Sequence, residues 1–289
     1  MIDLHVHSTA SDGSLSPSSL VTEAAKRRIG TIALTDHDTI KGNEEAAKAA
    51  IEQGIRFIPG IELEISWKHG GEFHLLGLGI QKPSPGFLDA IKALACRRQE
   101  RNMEIVERMN EAGIKASYDD IISSAHGSRT DLRDHSIGRP HFAAFLAKRK
   151  IVKNTDQAFQ HYLGKGKPFF IPKASLEFEQ AVEIIKESGG IAVLAHPMSL
   201  YISWGQLPAF INGLKEKGLG GIEAWHPNAK VSHCKRLEAL GRQLGLCVTA
   251  GSDFHGEARP ERKLGITAGG RKIDDMYLEG LPYQHERMS

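Results

Sequence analysis

Six of the fourteen histidines stand where a short apolar run begins or ends, and most have an aspartate or glutamate nearby. They are His5, His7, His37, His74, His196 and His255. A buried group of imidazoles and carboxylates would cost several kcal/mol for each ionised member if nothing neutralised the charge. Divalent cations are the usual solution. The sequence therefore predicts a metal centre built from distant parts of the chain.

The N-terminal half supplies the first ligands of this predicted centre. His5 and His7 form an H-x-H pair, and side chains two residues apart on a strand share one face. Asp12 can add an oxygen from the following loop, and His37 stands between two aspartates at the end of the next apolar run. Glu62 follows the third run, where a carboxylate can bridge two cations.

The remaining candidates come from the fourth run onwards. His74 is an exception because it opens its run, whereas His196, Asp253 and His255 close theirs. The carboxyl ends of strands form the face where barrels and open α/β folds assemble active sites. Nine nitrogen and oxygen ligands are too many for one tetrahedral zinc and suit two or three divalent ions, with Mn²⁺ favoured and Fe²⁺ or Zn²⁺ as alternatives. The nine are His5, His7, Asp12, His37, Glu62, His74, His196, Asp253 and His255.

Seven short apolar runs are the candidate strands that position these residues. Most are too hydrophobic to leave one face in water, which is typical of buried parallel strands. The sequence therefore predicts an α/β fold with a parallel barrel or sheet. The candidate strands are Ile2 to His5, Thr31 to Thr35, Phe57 to Glu62, His74 to Ile80, Ile191 to His196, Gly221 to Trp225 and Leu246 to Ser252.

Five amphipathic helices are predicted among the strands, and the first has the clearest start. Ser16 is its expected N-cap and Pro17 its first helical residue. Four glycines are expected to end helices, namely Gly30, Gly54, Gly189 and Gly245. The predicted helices are Pro17 to Arg28, Gly42 to Gln53, Leu176 to Ser188, Gln206 to Lys217 and Ala229 to Leu244.

Between Phe87 and Phe170 only helical patterns occur, which we interpret as an inserted helical cap subdomain. Its helices are predicted around Leu88 to Ala112, Tyr118 to Ser124, Pro140 to Lys148 and Asp156 to Leu163. The polar stretch His126 to His135 is predicted to be a surface loop. The predicted domains are an N-terminal barrel part at 1–86, the cap at 87–170 and a C-terminal barrel part at 171–289.

Composition narrows the class of protein. The net charge of +2 excludes a strongly basic protein that coats nucleic acid, although residues 95–153 carry twelve Lys or Arg against eight Asp or Glu. The three cysteines form no C-x-x-C motif, so we expect no disulfide framework and a reduced, cytoplasmic location. No apolar run approaches the roughly 20 residues of a membrane helix. We therefore expect no membrane association and no obligate protein partner.

Six strings of the sequence resemble, in chain order, the polymerase and histidinol phosphatase (PHP) phosphoesterases. They are DLHVHSTASDGSLSP, ALTDHDTIKG, PGIELE, FHLLGLG, AVLAHP and GSDFHG. The resemblance covers nearly the whole chain and is strongest to the bacterial subgroup that dephosphorylates nucleoside monophosphates or 3′,5′-bisphosphates, including relatives that trim RNA from its 5′ end. It implies a distorted (β/α)7 barrel with a small helical cap that contains the string GRPHF, here Gly138 to Phe142.

The resemblance also implies a role for each site residue. One metal would be held by His5, His7, Glu62 and Asp253. A second would be held by Glu62, His74 and His196, and a third by Asp12, His37 and His255. The implied catalytic residues are Asp12, His37, Glu62 and Asp253. The implied substrate-binding residues are Arg98, Arg101, Gly138, Arg139 and His141. Asp38 and His226 are further candidates for proton transfer.

The predicted function is a metal-dependent phosphomonoesterase that acts on a small nucleotide through a metal-activated hydroxide. Three alternatives stay open. A 5′ to 3′ exonuclease on short RNA or DNA would use the same centre, and a basic and aromatic track away from the metals would support it. An amidohydrolase also uses H-x-H on a barrel, but typically takes a strand-end lysine as its bridge. A non-catalytic metal-bound module would be marked by missing ligands, and none of the nine is missing.

Overall fold

The computed structural model describes residues 1–126 and 137–281 of the chain. Its principal strands are β1 Ile2–Val6, β2 Thr31–Leu34, β3 Arg56–Glu64, β4 His74–Leu78, β5 Ile191–Leu194, β6 Gly221–Trp225 and β7 Cys247–Ala250, followed by the short strands β8 Ile266–Thr267 and β9 Arg271–Lys272. Its α-helices are α1 Pro17–Lys26, α2 Asn43–Gln53, α3 Pro85–Glu111, α4 Tyr118–His126, α5 Arg139–Lys148, α6 Thr155–Ala158, α7 Phe178–Glu187, α8 Leu207–Glu216 and α9 Val231–Gln243. All seven predicted strands are present.

The first seven strands form one sheet in the order β1-β2-β3-β4-β5-β6-β7, which curls into a nearly closed barrel. The two edges meet just beyond β7, where Val6 pairs in parallel with Phe254. The N–H of His7 donates to the carbonyl of Phe254 at 2.9 Å, and the N–H of Asp253 donates to the carbonyl of His5 at 2.8 Å. The predicted (β/α)7 barrel is confirmed, and its closure brings β1 beside the segment that follows β7.

One strand runs against the other six. β4 pairs antiparallel with β3, where Glu64 lies opposite His74, and antiparallel with β5. The connection between β3 and β4 covers only residues 65–73, and a parallel crossover needs about a dozen residues or more. The all-parallel prediction is therefore wrong for β4. Its reversal explains why His74 opens its apolar run whereas the other candidate ligands close theirs. The first residue of β4 lies at the barrel end where the other strands finish.

The helix boundaries follow the predicted end signals with one difference. The Ser16 side chain accepts the N–H of Ser19 and Pro17 begins α1, as predicted. Gly54 ends α2 with a left-handed φ of 63°. At the end of α1, however, the left-handed residue is Arg28, with φ 61°, and not Gly30. Gly30 instead donates its N–H to the carbonyl of Met1, which aligns the start of β2 with β1.

The described residues form two compact units. One comprises the described residues of Met1–Ile91 and Ser175–Ser289, and the other comprises Lys92–Ala174. The second unit has its own apolar core, which includes Ile105, Phe142, Phe145 and Phe169. The proposed domain division at 86/87 and 170/171 stays a prediction.

Two of the predicted segments lie in the second unit. His126 ends α4, and the rest of the predicted loop to His135 lies outside the described residues. The last predicted helix of this unit divides into α6 and a π-helical turn, Phe159–Leu163.

Among the helices that the structure describes, none combines the length and the apolar character needed to cross a bilayer.

Candidate metal centre

All nine predicted ligands gather at one end of the barrel. His5 lies on β1 and Glu62 on β3, and His74 is the first residue of β4. The other six stand on the segments that follow β1, β2, β5 and β7, namely His7, Asp12, His37, His196, Asp253 and His255. Asp12, His37 and His196 are half-buried, and the other six ligands are buried.

The first cluster surrounds one oxygen of Glu62. His7 Nε2 lies 3.3 Å from Glu62 Oε2 and 3.1 Å from Asp253 Oδ1. His5 Nε2 lies 3.5 Å from Glu62 Oε2 and 3.2 Å from His7 Nε2. His5, His7 and Asp253 thereby present ligand atoms that all lie within 4.8 Å of one another. Two imidazole nitrogens and two carboxylate oxygens converge, which is a donor set suited to a divalent cation.

The second cluster surrounds the other oxygen of the same carboxylate. Glu62 Oε1 lies 2.9 Å from His74 Nδ1 and 3.0 Å from His196 Nε2. The two imidazole nitrogens are 3.3 Å apart. His37 Nδ1 lies 3.1 Å from Glu62 Oε2, on the side of the first cluster. Because its two oxygens face different groups of histidines, Glu62 occupies a bridging position.

The third cluster lies around Asp12. His255 Nε2 is 3.3 Å from Asp12 Oδ1 and His7 Nδ1 is 3.7 Å from the same oxygen. His37 Nε2 lies 3.9 Å from Asp12 Oδ2. Both His7 Nδ1 and His255 Nε2 are buried and have no hydrogen-bond partner within residues 1–126 and 137–281. Two buried imidazole nitrogens that converge on one carboxylate are a donor set that a cation could use.

The electrostatics of the three clusters favour the same interpretation. Burial raises the pKa of Asp12, but the charges on His255 and His37 outweigh it and hold that pKa well below its usual range. Burial lowers the pKa of His7, yet hydrogen bonds to Asp253 and Glu62 raise it to about 9. The ionised carboxylates thus hold a proton on His7, whereas burial keeps the pKa of His37 well below its usual range. A bound cation would take the place of that proton.

Glu223 is a site residue that the sequence analysis missed. It is buried in β6, and its Oε1 lies 3.0 Å from His5 Nδ1, while its Oε2 accepts the N–H of His196 at 2.7 Å. The available signal was a glutamate in the middle of the otherwise apolar strand GIEAW. Glu64 contacts the centre in a similar way, because its Oε2 lies 2.9 Å from His74 Nε2.

Asp253 is held by two residues on the side away from the first cluster. Arg262 is buried and contacts Asp253 Oδ2 and, at 3.1 Å, its carbonyl oxygen. His226 Nε2 lies 3.1 Å from the same carboxylate oxygen, and its Nδ1 accepts the N–H of Asn228 at 3.2 Å. Both ring nitrogens of His226 are therefore engaged in positioning contacts. The role of Arg262 could not be predicted from the sequence, because this residue stands in a charged run that is typical of a solvated surface.

The backbone is strained at two of these ligands. His196 has φ 28° and Asp253 has φ 50°, and both lie in the region of positive φ that costs an L-residue about 1 to 3 kcal/mol. The N–H of His196 is held by Glu223 and that of Asp253 by the carbonyl of His5. Such conformations persist only where the surrounding contacts fix them, as they do here.

The five predicted substrate-binding residues lie in the second unit. His141 Nδ1 accepts the N–H of Gly138 at 3.0 Å, so this imidazole closes the first turn of α5. Arg101 is buried and donates to Asn102 at 2.9 Å. The Arg139 guanidinium lies over the ring of Phe170, 5.3 Å from its centroid. Arg98 is half-buried on α3. Their role in binding substrate stays a prediction.

Comparison with known proteins agrees with this geometry. The sequence profile of the PHP domain matches residues 3–188. A 5′-3′ exoribonuclease from Haemophilus influenzae is 36% identical over 88% of this chain and 89% of its own. A 3′,5′-nucleoside bisphosphate phosphatase from Chromobacterium violaceum is 33% identical over 92% and 91%. A solved structure from Bifidobacterium adolescentis, assigned to the metal-dependent phosphoesterases, matches with a TM-score of 0.80 at 27% identity, over 96% of this chain and 93% of that chain. With three clusters of metal-type ligands at the end of such a barrel, the chain belongs to the PHP domain family of metal-dependent phosphoesterases.

Proposed function

We propose that this protein is a phosphatase that releases inorganic phosphate from small nucleotides, either nucleoside monophosphates or 3′,5′-bisphosphates. The observation that carries the proposal is the carboxylate of Glu62, whose two oxygens face two separate histidine clusters at 2.9 to 3.5 Å. A carboxylate in that position can hold two cations side by side, which is the arrangement that phosphatases use. The similarity to a nucleoside bisphosphate phosphatase supports the substrate class.

We assign the ligands to three cation subsites. The first subsite consists of His5, His7, Glu62 and Asp253. The second consists of Glu62, His74 and His196. The third consists of Asp12, His37 and His255. All of these residues offer nitrogen or oxygen, which favours Mn²⁺, with Fe²⁺ or Zn²⁺ as alternatives.

The protein's own residues would contribute to hydrolysis mainly by holding charge in fixed positions. Divalent ions, when bound, would acidify a water molecule and neutralise the charge that develops on phosphoryl oxygens. Glu62 fixes the spacing of the first two subsites, and Asp253 is locked in place by Arg262 and His226. Asp12 and His37 are half-buried, so a substrate oxygen can reach their subsite. Asp12, His37, Glu62 and Asp253 are accordingly the proposed catalytic residues.

Substrate contacts are assigned to the second unit. Guanidinium groups make paired, fork-shaped hydrogen bonds to phosphate oxygens, and segment 95–153 carries an excess of Lys and Arg. We assign contacts with phosphate or nucleotide to Arg98, Arg101, Gly138, Arg139 and His141. The three free cysteines support a reduced, cytoplasmic setting, and the substrate is the partner that the proposal requires.

A second candidate is a 5′ to 3′ exonuclease on short RNA or DNA. The similarity to a 5′-3′ exoribonuclease that covers most of both chains favours it. The two activities differ in the bond that is cut, because a phosphatase cuts a terminal monoester and a 5′ to 3′ exonuclease cuts the diester next to the 5′ end. The phosphatase and the exonuclease activities can therefore be distinguished by their products.

The test offers the Mn²⁺-loaded protein adenosine 3′,5′-bisphosphate, AMP and a 5′-phosphorylated RNA pentamer at equal concentration. Phosphate release and oligonucleotide length are measured together. We expect rapid phosphate release from a mononucleotide, and we expect the pentamer to keep its full length. Stepwise shortening of the pentamer at a higher kcat/KM would establish the exonuclease instead. No turnover of any substrate would leave a non-catalytic metal-bound module, and Glu62→Gln serves as the inactive control.

A further inference from the structure

Glu223, like Glu62, is a buried glutamate of the barrel whose two oxygens contact ligands from two different clusters. Only 1% of its surface is exposed, and it lies at the centre of β6. Its Oε1 is 3.0 Å from the Nδ1 of His5, a member of the first cluster. Its Oε2 is 2.7 Å from the backbone nitrogen of His196, a member of the second cluster.

The contact with His5 selects which ring nitrogen carries the proton. A carboxylate can only accept, so Nδ1 of His5 must donate to Glu223. In the neutral ring, Nε2 is then left with a free lone pair. Nε2 is the atom that lies 3.4 Å from Asp253 Oδ1 and 3.5 Å from Glu62 Oε2. Glu223 therefore directs the lone pair of His5 into the first cluster.

The contact with His196 fixes a strained backbone. His196 has φ 28°, and its N–H donates to Glu223. The ring is held separately, because its Nδ1 lies 2.8 Å from Ser199 Oγ, and that hydroxyl donates to the carbonyl of Glu72. His196 Nε2 then faces Glu62 Oε1 at 3.0 Å. The carbonyl of His196 accepts the N–H of Ser199 at 2.9 Å, so Glu223 fixes the N–H side of this strained residue.

The neighbouring strand leaves room for this arrangement through a glycine. A Cβ atom on Gly251 would lie 2.3 Å from the Cβ of His5 and 2.7 Å from Glu223 Oε1, both closer than real contacts allow. Any larger residue at position 251 would therefore separate His5 from the carboxylate. In the string AGSDF, Gly251 thus leaves space for the contact of Glu223 with His5, and Asp253 is a predicted ligand.

We propose that Glu223 is a positioning residue that couples the first and second cation subsites, by setting the tautomer of His5 and the backbone of His196 with one carboxylate. The inference rests on the metal binding in the proposed function but not on its substrate. Glutamine has one acceptor oxygen and an NH₂ group that can only donate. Glu223→Gln can therefore accept a hydrogen bond from His5 Nδ1 or from the N–H of His196 but not from both, while its size stays the same.

The experiment measures Mn²⁺ binding alone, by competition with a chelator, in the wild type, Glu223→Gln and the control Glu238→Gln. Glu238 also accepts hydrogen bonds with both of its oxygens, among them those from Trp225 Nε1 at 2.7 Å and Arg242 Nη2 at 2.9 Å, and it packs against the same strand without contacting a ligand. Loss of a group that orients a metal ligand typically costs about tenfold to a hundredfold in metal affinity. We expect that loss in Glu223→Gln and wild-type affinity in Glu238→Gln, with equal circular dichroism spectra.

Equal Mn²⁺ affinity in the wild type and Glu223→Gln would overturn the inference while leaving the proposed function intact. Failure of the wild type to bind Mn²⁺ would instead overturn the proposed function. If Glu223→Gln does not fold, the Zn²⁺-loaded wild type still provides a test by proton–nitrogen correlation NMR of its imidazoles. We expect His5 to carry its proton on Nδ1. A proton on Nε2 would refute the role of Glu223.

Discussion

At the scale of single residues, the centre depends on carboxylates that each serve two purposes. Glu62 faces one histidine cluster with each oxygen, and Asp253 faces His7 with Oδ1 while Oδ2 contacts Arg262 and His226. Each carboxylate has two oxygens and accepts several partners, so a change to an amide removes acceptor capacity without changing volume. The functional importance of these residues can therefore be tested with nearly isosteric variants.

We expect Glu62→Gln to lower kcat by at least about a hundredfold while the fold persists, because the two oxygens of Glu62 face the imidazole nitrogens of the first two clusters. Phosphate release and metal content per chain are the measurements. His233→Ala is the control, since His233 lies on α9 and contacts the ring of Trp204. A Glu62→Gln enzyme with near-normal kcat would show that the bridge lies elsewhere.

Arg262→Met is expected to destabilise the metal-free protein more than the metal-loaded one. Removal of one partner from a buried charge pair costs about 3 to 5 kcal/mol, because the remaining charge is left uncompensated. A bound cation near Asp253 would supply part of the missing positive charge. Thermal unfolding with and without Mn²⁺ measures the difference, and Lys263→Met, an exposed neighbour, is the control. Equal losses in both states would contradict the prediction.

The pKa of His7 predicts how metal affinity depends on pH. In the metal-free protein, hydrogen bonds to Asp253 and Glu62 outweigh burial and raise this pKa to about 9, so the ring holds a proton at neutral pH. A cation must displace that proton, so affinity should rise about tenfold per pH unit until pH approaches the pKa, and then level off. Calorimetric titration in buffers of different ionisation enthalpy should detect proton release. Affinity that is constant from pH 6.5 to 8.5 would oppose the prediction.

At the scale of elements, the direction of one strand decides whether the second cluster exists. His74 pairs with Glu64 across the antiparallel β3–β4 ladder and lies at the active end of the barrel because β4 runs backwards. In a parallel β4 of the same sequence, His74 would lie at the opposite end. The loops after β1 and β2 carry the half-buried residues Asp12 and His37, which lie outside the named strands and helices.

Helix α5 carries a prediction about substrate selectivity. If Arg139 contacts the nucleotide, Arg139→Ala should reduce kcat/KM for a nucleotide by roughly tenfold to a hundredfold, mainly through KM, because a charge-assisted hydrogen bond contributes about 1.5 to 3 kcal/mol. The loss should be much smaller for p-nitrophenyl phosphate, which has no nucleoside. Arg149→Ala is a matched control, because this arginine lies over the ring of Phe145 at the other end of α5. Equal losses on both substrates would place Arg139 among the catalytic groups.

At the scale of the whole molecule, the barrel and its cations should stabilise each other. The centre joins ligands from β1 to beyond β7, so a bound ion links the first and last strands of the barrel. The ligands are held in place only in the folded chain, so binding contributes directly to folding free energy. We expect two or three transition-metal ions per purified chain.

Chelation should abolish phosphatase activity and lower Tm by several degrees, because an ion at a hundred times its Kd contributes about 2.7 kcal/mol. Added Mn²⁺ should restore both. Elemental analysis and thermal unfolding are the measurements. Less than one metal per chain, together with activity that resists chelation, would overturn the metal-dependent mechanism.

Local patterns in the sequence were sufficient to predict the seven strands, most helix ends and the nine candidate ligands. Apolar runs, the Ser16-Pro17 start signal and the H-x-H pair are each readable within a few residues. The same information predicts that strand-end histidines meet, because the strands of a barrel share one carboxyl end. The sheet topology confirms the barrel, and the match to the PHP profile confirms the family that six strings of the sequence resemble.

Tertiary structure alone decided which residues complete the centre. The pairing of β4 with β5 and the contact of Glu223 with His5, which are separated by 218 residues, join distant parts of the chain, and Arg262 contacts Asp253 because the segment between them folds back. A glutamate in an apolar strand or an arginine in a charged run has the same local pattern whether it positions a ligand or not. Only the closed barrel determines which buried donor each of these charged groups meets.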